Sequence, residues 1–255
     1  MKPTADTFLF YLGHPAHYHN VSVVIKKLAQ KGFHIVLIAR GKDVLFDLLK
    51  DLPYTIIYLK SRKGKGKLSL IFTILKREFI LFRLALKYKP KMLIGTDIVI
   101  THIGKLLKIP AVILNEDDAK EVPFLAKFGF KYAKAVFSPN CCDISPYEHK
   151  KIGYNGYHEL AYLHPNYFMP DKLKIKALTK KGEKYFILRF AALTAHHDKG
   201  KTGINKAIAK QLIEKLSPFG RVYITSERKL ETEFETYRIN INPKNMHDAL
   251  YYAQL

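Results

Sequence analysis

Cysteine is nearly absent from this chain of 255 residues: two occur, side by side at Cys141 and Cys142. Adjacent cysteines seldom bridge each other, and no spaced pairs exist to form a disulfide framework. This excludes a disulfide-stapled secreted scaffold and fits a reducing compartment. No uncharged run approaches the roughly 20 residues that cross a bilayer, which excludes a membrane-spanning helix. The N-terminal segment has too short an apolar run for a signal peptide, so the protein is expected in the cytoplasm. Phosphate-cradling glycine motifs are missing too. Nothing like a dinucleotide fingerprint follows the first apolar run, and Lys199-Gly200-Lys201-Thr202 lacks the upstream glycines of a P-loop. Acidic residues are outnumbered, 22 against 43 Lys plus Arg, for a formal net charge of +21. That excess favours an anionic partner or a solubilising lysine surface, and by itself says little about site chemistry.

What is present is a regular alternation of short apolar runs with helical patterns. Residues 8–12, 34–39, 55–59, 92–95, 111–114 and 135–137 read as strands. Helical spacing fills the intervals, with long or well-marked stretches at 21–28, 43–50, 68–88, 98–107 and 123–132. Strands alternating with helices imply a mostly parallel α/β sheet. A second series follows the polar, aromatic stretch 153–171: strands at 185–190 and 222–225, a short strand at 238–241, and helices at 204–216 and 246–253. Two or three strands make a poor doubly wound domain, so this series reads as incomplete and the chain as a fragment. The expected division is residues 1–165 and 166–255.

The stretch Gly13-His14-Pro15-Ala16-His17-Tyr18-His19-Asn20 places three histidines where a strand hands over to a helix. In open α/β sheets, ligands bind in that crevice, outside the carboxyl ends of the strands. Loops at the same edge supply Thr96 and Asp97, then Asn115, Glu116, Asp117 and Asp118. A histidine facing a carboxylate is a common general base near neutral pH, suited to deprotonating an acceptor hydroxyl. The plainer reading is that Asp97 and Asn115 cap helices and turns. A metal site competes weakly, because no His-x-x-x-His pair exists and cysteine ligands are scarce. No metal is therefore expected. In the second series Arg189 could clamp a phosphate, with a helix N-terminus near Thr202 behind it.

The basic run 60–67 joins the helix at 68–88, whose Leu68, Ile71, Phe72, Leu75, Phe79, Phe82 and Leu86 form an apolar face. Ile74, Ile80, Leu81 and Leu84 widen it. Two readings stay open: an ordinary crossover helix with a generous core face, or a helix that partly enters an anionic membrane surface. On the second reading Lys63, Lys65, Lys67, Phe72 and Arg77 make the contact. Basic residues do not interleave with aromatics as in a nucleic-acid module, so nucleic acid is not expected as a partner.

Four segments together resemble the domain-of-unknown-function 354 family: Gly13-His14-Pro15-Ala16-His17; Tyr154-Asn155-Gly156-Tyr157-His158-Glu159-Leu160-Ala161-Tyr162-Leu163-His164-Pro165; Leu188-Arg189-Phe190 with His197-Asp198; and 245–253. The resemblance implies a GT-B-like fold, two Rossmann-like domains with a cleft, related to UDP-N-acetylglucosamine 2-epimerase and the peptidoglycan N-acetylglucosaminyltransferase. It implies a glycosyltransferase of cell-surface polysaccharide or glycolipid synthesis, taking a nucleotide-sugar donor and a glycan or lipid-linked acceptor, with no other cofactor. Carried onto this chain, His14 or His17 is the base, steered by Asp97 or Glu116. Gly13, His19, Asn115 and Asp117 line the acceptor side; Arg189, Thr194, His197 and Asp198 line the donor side. The family continues past residue 253 into a donor loop, so the fragment is expected to be inactive. An epimerase or hydrolase of nucleotide-sugars, or a non-catalytic glycan- or lipid-binding remnant, is the alternative. The expected location is cytoplasmic, peripheral to the inner face of the membrane.

Overall fold

The computed structural model describes residues 6–41, 43–59, 67–179, 182–191 and 203–254. The chain divides into two compact units, Met1–Phe168 and Met169–Leu255.

The first unit is a seven-stranded sheet in the order β3-β2-β1-β4-β5-β6-β7. Its strands are β1 (Thr7–Leu12), β2 (His34–Arg40), β3 (Thr55–Leu59), β4 (Met92–Gly95), β5 (Ala111–Leu114), β6 (Ala135–Pro139) and β7 (Lys151–Tyr154). Every pairing is parallel. Parallel sheets are covered on both faces, so their strands are apolar on both sides of the pleat. β1 shows this directly. Leu9 and Tyr11 enter a core with Val36, Ile38, Leu81, Val99 and Ile103. Phe10 and Leu12, one residue out of phase, enter another with Val21, Ile25, Leu37 and Leu45. Each such fully buried side chain stabilises the fold by roughly 1.5–3 kcal/mol.

Helices α1 (Pro15–Gln30) and α2 (Asp43–Leu49) supply the second core; α3 (Lys67–Tyr88), α4 (Ile98–Leu107) and α5 (Pro123–Phe128) lie over the first. α1 stops where Gly32 takes φ 83°, a left-handed conformation that glycine adopts without penalty. α6 (Leu160–Leu163) follows β7 and packs on α1. The strand order reverses between β1 and β4, and that switch point opens a crevice at their carboxyl ends.

The second unit pairs β8 (Tyr185–Phe190) with β9 (Arg221–Ser226) in parallel, flanked by α7 (Lys206–Leu216) and α8 (Met246–Tyr252). Phe186, Leu188, Phe190, Ala209, Ile213, Val222, Ile224 and Phe234 form its core. A smaller cluster of Ile175, Leu178, Tyr185 and Ala249 lies apart. Asp248 is buried, accepting a bond from the Asp171 amide at 2.8 Å and facing Lys174 Nζ at 3.4 Å.

Three sequence expectations differ from the structure. β7 lies in a stretch that reads as irregular, because it is a short edge strand interrupted by Gly153. The segment 238–241 is not a strand; its pairing is limited to an isolated bridge between Ile224 and Arg238. The helical pattern 123–132 breaks at Gly129 into α5 and a 3-10 turn, Phe130–Tyr132.

Candidate functional site

The chain leaves β1 through Gly13 and enters α1 at Pro15, whose fixed φ suits the first helical position. His14 caps this helix: its Nδ1 accepts a bond from the Ala16 amide at 3.2 Å. Ser, Thr, Asp or Asn usually takes that role. His17, one turn in, accepts from the Gly13 amide at Nδ1, also at 3.2 Å. Thr96 Oγ1 lies 2.9 Å from His17 Nδ1 and 3.2 Å from Nε2. In both rings the Nδ1 lone pair faces a backbone N–H, which places the proton of the neutral ring on Nε2. Burial and then the neighbouring His14 push His17 down from the usual 6.5 to about 4, so it is neutral at pH 7. This geometry makes His14 and His17 hydrogen-bond donors at Nε2 instead of ready proton acceptors. His19 packs against Tyr162 with ring centroids 5.2 Å apart and the rings tilted by 31°, tying α1 to α6.

Asp97 does not steer a histidine. Its Oδ1 caps α4 by accepting from the Val99 amide at 3.1 Å. Its Oδ2 accepts from Arg77 Nη1 at 2.7 Å, and Arg40 Nη2 stands 3.7 Å away. The carboxylate is fully engaged by a helix end and a guanidinium. Arg77 in turn is only 13% exposed and points inward, so it is not a membrane contact.

Glu116, in the loop after β5, faces a different histidine from the expected ones. Its Oε2 lies 3.0 Å from His158 Nδ1. The hydrogen bond to His158 holds the Glu116 carboxyl below its ordinary range. His158 is 10% exposed at its side chain, stacks on Tyr154 and has Asn20 Nδ2 3.2 Å from Nδ1. With its proton on Nδ1 and donated to Glu116, the shorter of the two contacts, the ring leaves Nε2 as the proton-accepting nitrogen, and Asn20 Nδ2 lies beside Nδ1 without donating to it. His158 lines a cavity of ≈ 280 Å³ with Asn20, Leu114, Phe137 and Tyr154. Asn20, Leu114 and Phe137 also line a larger cavity of ≈ 660 Å³ beneath α1, walled mainly by apolar residues of β1, β4, β5 and β6.

The neighbouring loop residues bond to the backbone around them. Asn115 is buried, and its Nδ2 donates to the Asp117 carbonyl at 2.5 Å, which braces the loop. Asp117 contributes that carbonyl to the same turn. Asp118 accepts from the Asp143 amide at 2.8 Å. Nothing in the sequence pattern marks His158 as a base, although it sits within the 154–165 segment that carries the family resemblance.

Most of the apolar face of α3 read from the sequence is exposed. Leu81 and Ala85 are buried, whereas Ile71, Phe72, Leu75, Phe79 and Leu86 are more than half exposed, Phe72 at 74%. The cause is a pair of charged residues turned inward onto α4: Arg77 to Asp97, and Glu78 Oε1 to His102 Nδ1 at 2.5 Å. Lys67 begins this helix; Lys63 and Lys65 lie outside the described residues.

In the second unit Arg189 Nη2 donates to Glu227 Oε1 at 2.6 Å and is 70% exposed. Thr194, His197 and Asp198 lie outside the described residues. Among the described residues, no group of three His, Cys, Asp or Glu could hold a metal ion. Both cysteines are free thiols. No described helix is long and apolar enough to cross a membrane.

No protein-family model and no curated protein sequence matches this chain. Solved structures do. UDP-N-acetylglucosamine 2-epimerase from Rickettsia bellii aligns over 98% of this chain and 72% of its own, with a TM-score of 0.62 at 13% identity. UDP-GlcNAc 2-epimerase from Neisseria meningitidis, bound to UDP-GlcNAc, aligns over 88% and 73%, with 0.56 at 14%. A glycosyltransferase from Rickettsia africae aligns over 89% and 69%, with 0.53 at 13%. At such identities the likeness establishes the fold: α/β, GT-B-like, with Rossmann-type units.

Proposed function

We propose that this protein is a nucleotide-sugar glycosyltransferase of the domain-of-unknown-function 354 type, acting on a lipid-linked acceptor at an anionic membrane surface. The observation that carries the reading is the His158–Glu116 pair at the carboxyl edge of the sheet, with Nδ1 3.0 Å from Oε2 and His158 lining a cavity. In this mechanism His158 Nε2 takes the proton of an acceptor hydroxyl. Glu116 stabilises the imidazolium that forms. The freed oxygen attacks the anomeric carbon, the bond to the nucleoside diphosphate breaks, and the configuration inverts. His158 then returns its proton to solvent. His14 and His17 serve as Nε2 donors beside the acceptor. Arg189, with Thr194, His197 and Asp198, is assigned to the donor diphosphate. The structural neighbour bound to UDP-GlcNAc makes that compound the first donor to try.

Two features support a lipid-linked acceptor over a free glycan. The apolar cavity beneath α1 shares lining residues with the His158 cavity. The exposed stripe of α3, flanked by exposed Lys76, Arg83 and Lys87 in a chain of net charge +21, suits an anionic lipid surface.

The test is incubation with labelled UDP-GlcNAc and anionic lipid vesicles carrying polyprenyl phosphate-linked sugar. Label in the lipid fraction, lost in His158→Gln, supports the reading. Free sugar without transfer makes the protein a hydrolase, and a 2-epimeric nucleotide-sugar makes it an epimerase.

A further inference from the structure

Arg40 ends β2, where the sheet's carboxyl edge opens beside the Gly13–His17 loop. Its side chain is 32% exposed, and the nearest carboxylate oxygen, Asp97 Oδ2, is 3.7 Å away. That is too long for a hydrogen bond. The same oxygen is already taken by Arg77 at 2.7 Å. Arg40 Nε is buried without a hydrogen-bond partner, and so is Arg77 Nε. Among the described residues, then, the Arg40 guanidinium has one distant anion and no hydrogen bond.

The charges do not balance. Two guanidiniums share one carboxylate, and Arg77 alone suffices to neutralise it. His17 beside them is neutral at pH 7. One positive charge is left over at a partly buried position, with its Nε–H donor unmet. Each unmet buried donor costs about 1–3 kcal/mol, more when charged. An arginine present only to pair with Asp97 gains more by closing to hydrogen-bond distance. Space has also been kept for this side chain: a Cβ on Gly13 would stand 3.1 Å from Arg40 Nη2. Any larger residue there forces the guanidinium to move.

We propose that Arg40, buttressed by the Arg77–Asp97 pair, is an oxyanion subsite of the first unit that binds a phosphate or carboxylate group of the substrate. The guanidinium is a planar fork whose paired donors match either group. The subsite is built from residues of the first unit alone, and the proposal assigns it a charged group of the acceptor. It stands on the geometry around Arg40 and holds whichever reaction the His158–Glu116 pair performs.

A bound anion also alters His17, whose ring is influenced by four charged or titratable neighbours: His14, Glu116, Arg40 and Asp97. Arg40 disfavours the imidazolium, so an anion seated on Arg40 raises the pH at which His17 takes a proton. That supplies a readout independent of turnover.

The experiment uses the whole chain, titrated with inorganic phosphate and, separately, with acetate, each against chloride at equal ionic strength. Histidine ring resonances and thermal stability are followed. The expected result is a saturable phosphate-induced shift of the His17 ring, weakened at least tenfold in Arg40→Gln and unchanged in the surface control Lys26→Gln. Gly13→Ala, which keeps the charge but crowds the guanidinium, weakens it too and carries the test if Arg40→Gln fails to fold. A stronger response to phosphate than to acetate identifies a phosphoryl ligand, and the reverse a carboxylate. Equal phosphate binding in wild type and Arg40→Gln means diffuse attraction to the basic surface and overturns the proposal, as does an unmoved His17 ring. Loss of sugar transfer in His158→Gln with phosphate binding intact leaves this subsite standing and bears only on the base.

Discussion

His158 Nδ1 sits 3.0 Å from Glu116 Oε2, joining the loop after β5 to the segment after β7. Positioned proton transfer of this kind contributes about 10²–10⁴-fold to a rate. His158→Gln is therefore expected to lower kcat for sugar transfer by about that factor with little change in acceptor KM. Glu116→Gln, which keeps the shape but not the charge, is expected to cost less. A pH–rate profile distinguishes a base from a brace. The low-pH limb disappears in His158→Gln if the ring is the base. An unchanged profile in both variants removes the pair from the mechanism.

His17 titrates near pH 4 instead of 6.5 because its ring is buried beside His14. The unfolded chain binds a proton at this position below about pH 6.5, whereas the folded chain does not until about pH 4. Folding stability from this residue is thus complete above pH 6.5 and falls as the pH drops towards 4, by on the order of 3 kcal/mol. Chemical denaturation at pH 7 and pH 5 should show the loss, and His17→Gln should remove most of it. A pH-independent difference between the two proteins contradicts the assignment.

Asp97 is 15% exposed and bonded to Arg77 and to the start of α4. Removing one partner of a buried pair strands the other charge, which costs about 3–5 kcal/mol. Asp97→Asn is expected to lower Tm by roughly ten degrees or more, on the usual scaling for a domain of this size. Gly95→Ala should destabilise by a different route, because its Cβ would meet the Tyr11 carbonyl at 2.6 Å and push β4 from β1. Calorimetry on both variants separates these from the surface control Lys26→Gln, for which no change is expected.

The α3 stripe predicts binding to anionic vesicles that falls steeply as salt rises, because the attraction is screened within a Debye length. Phe72→Asp and Phe79→Asp are expected to reduce vesicle binding by tenfold or more while leaving Tm within about a degree, since both side chains are largely exposed. Co-sedimentation with anionic and neutral vesicles measures this. Equal binding by wild type and both variants would remove the stripe as a contact.

The sheet was legible because buried parallel strands carry apolar residues on both faces, as in Leu9 to Leu12. β7 was not, since four residues including Gly153 at an edge leave no period to read. At the site, the histidine loop and the acidic loop were both visible, but not their pairing. Glu116 meets His158 instead of His14 or His17 because α1 turns those two rings onto backbone amides. In α3 both faces are apolar, so hydropathy could not choose between them. Arg77 and Glu78, anchored on α4, made the choice.

β1 sits inside the sheet between β2, which follows it at once, and β4, which arrives only after α3. Tyr11 cannot find its partner Gly95 until that later segment has been synthesised. During translation β1 therefore has one satisfied edge and one open edge, and non-local parallel pairing is slow to form. The order in which the ribosome releases the chain thus becomes a constraint on folding. Pausing before Gly95 prolongs exposure of an apolar edge, and holding it out of contact with other nascent chains is a task for chaperones.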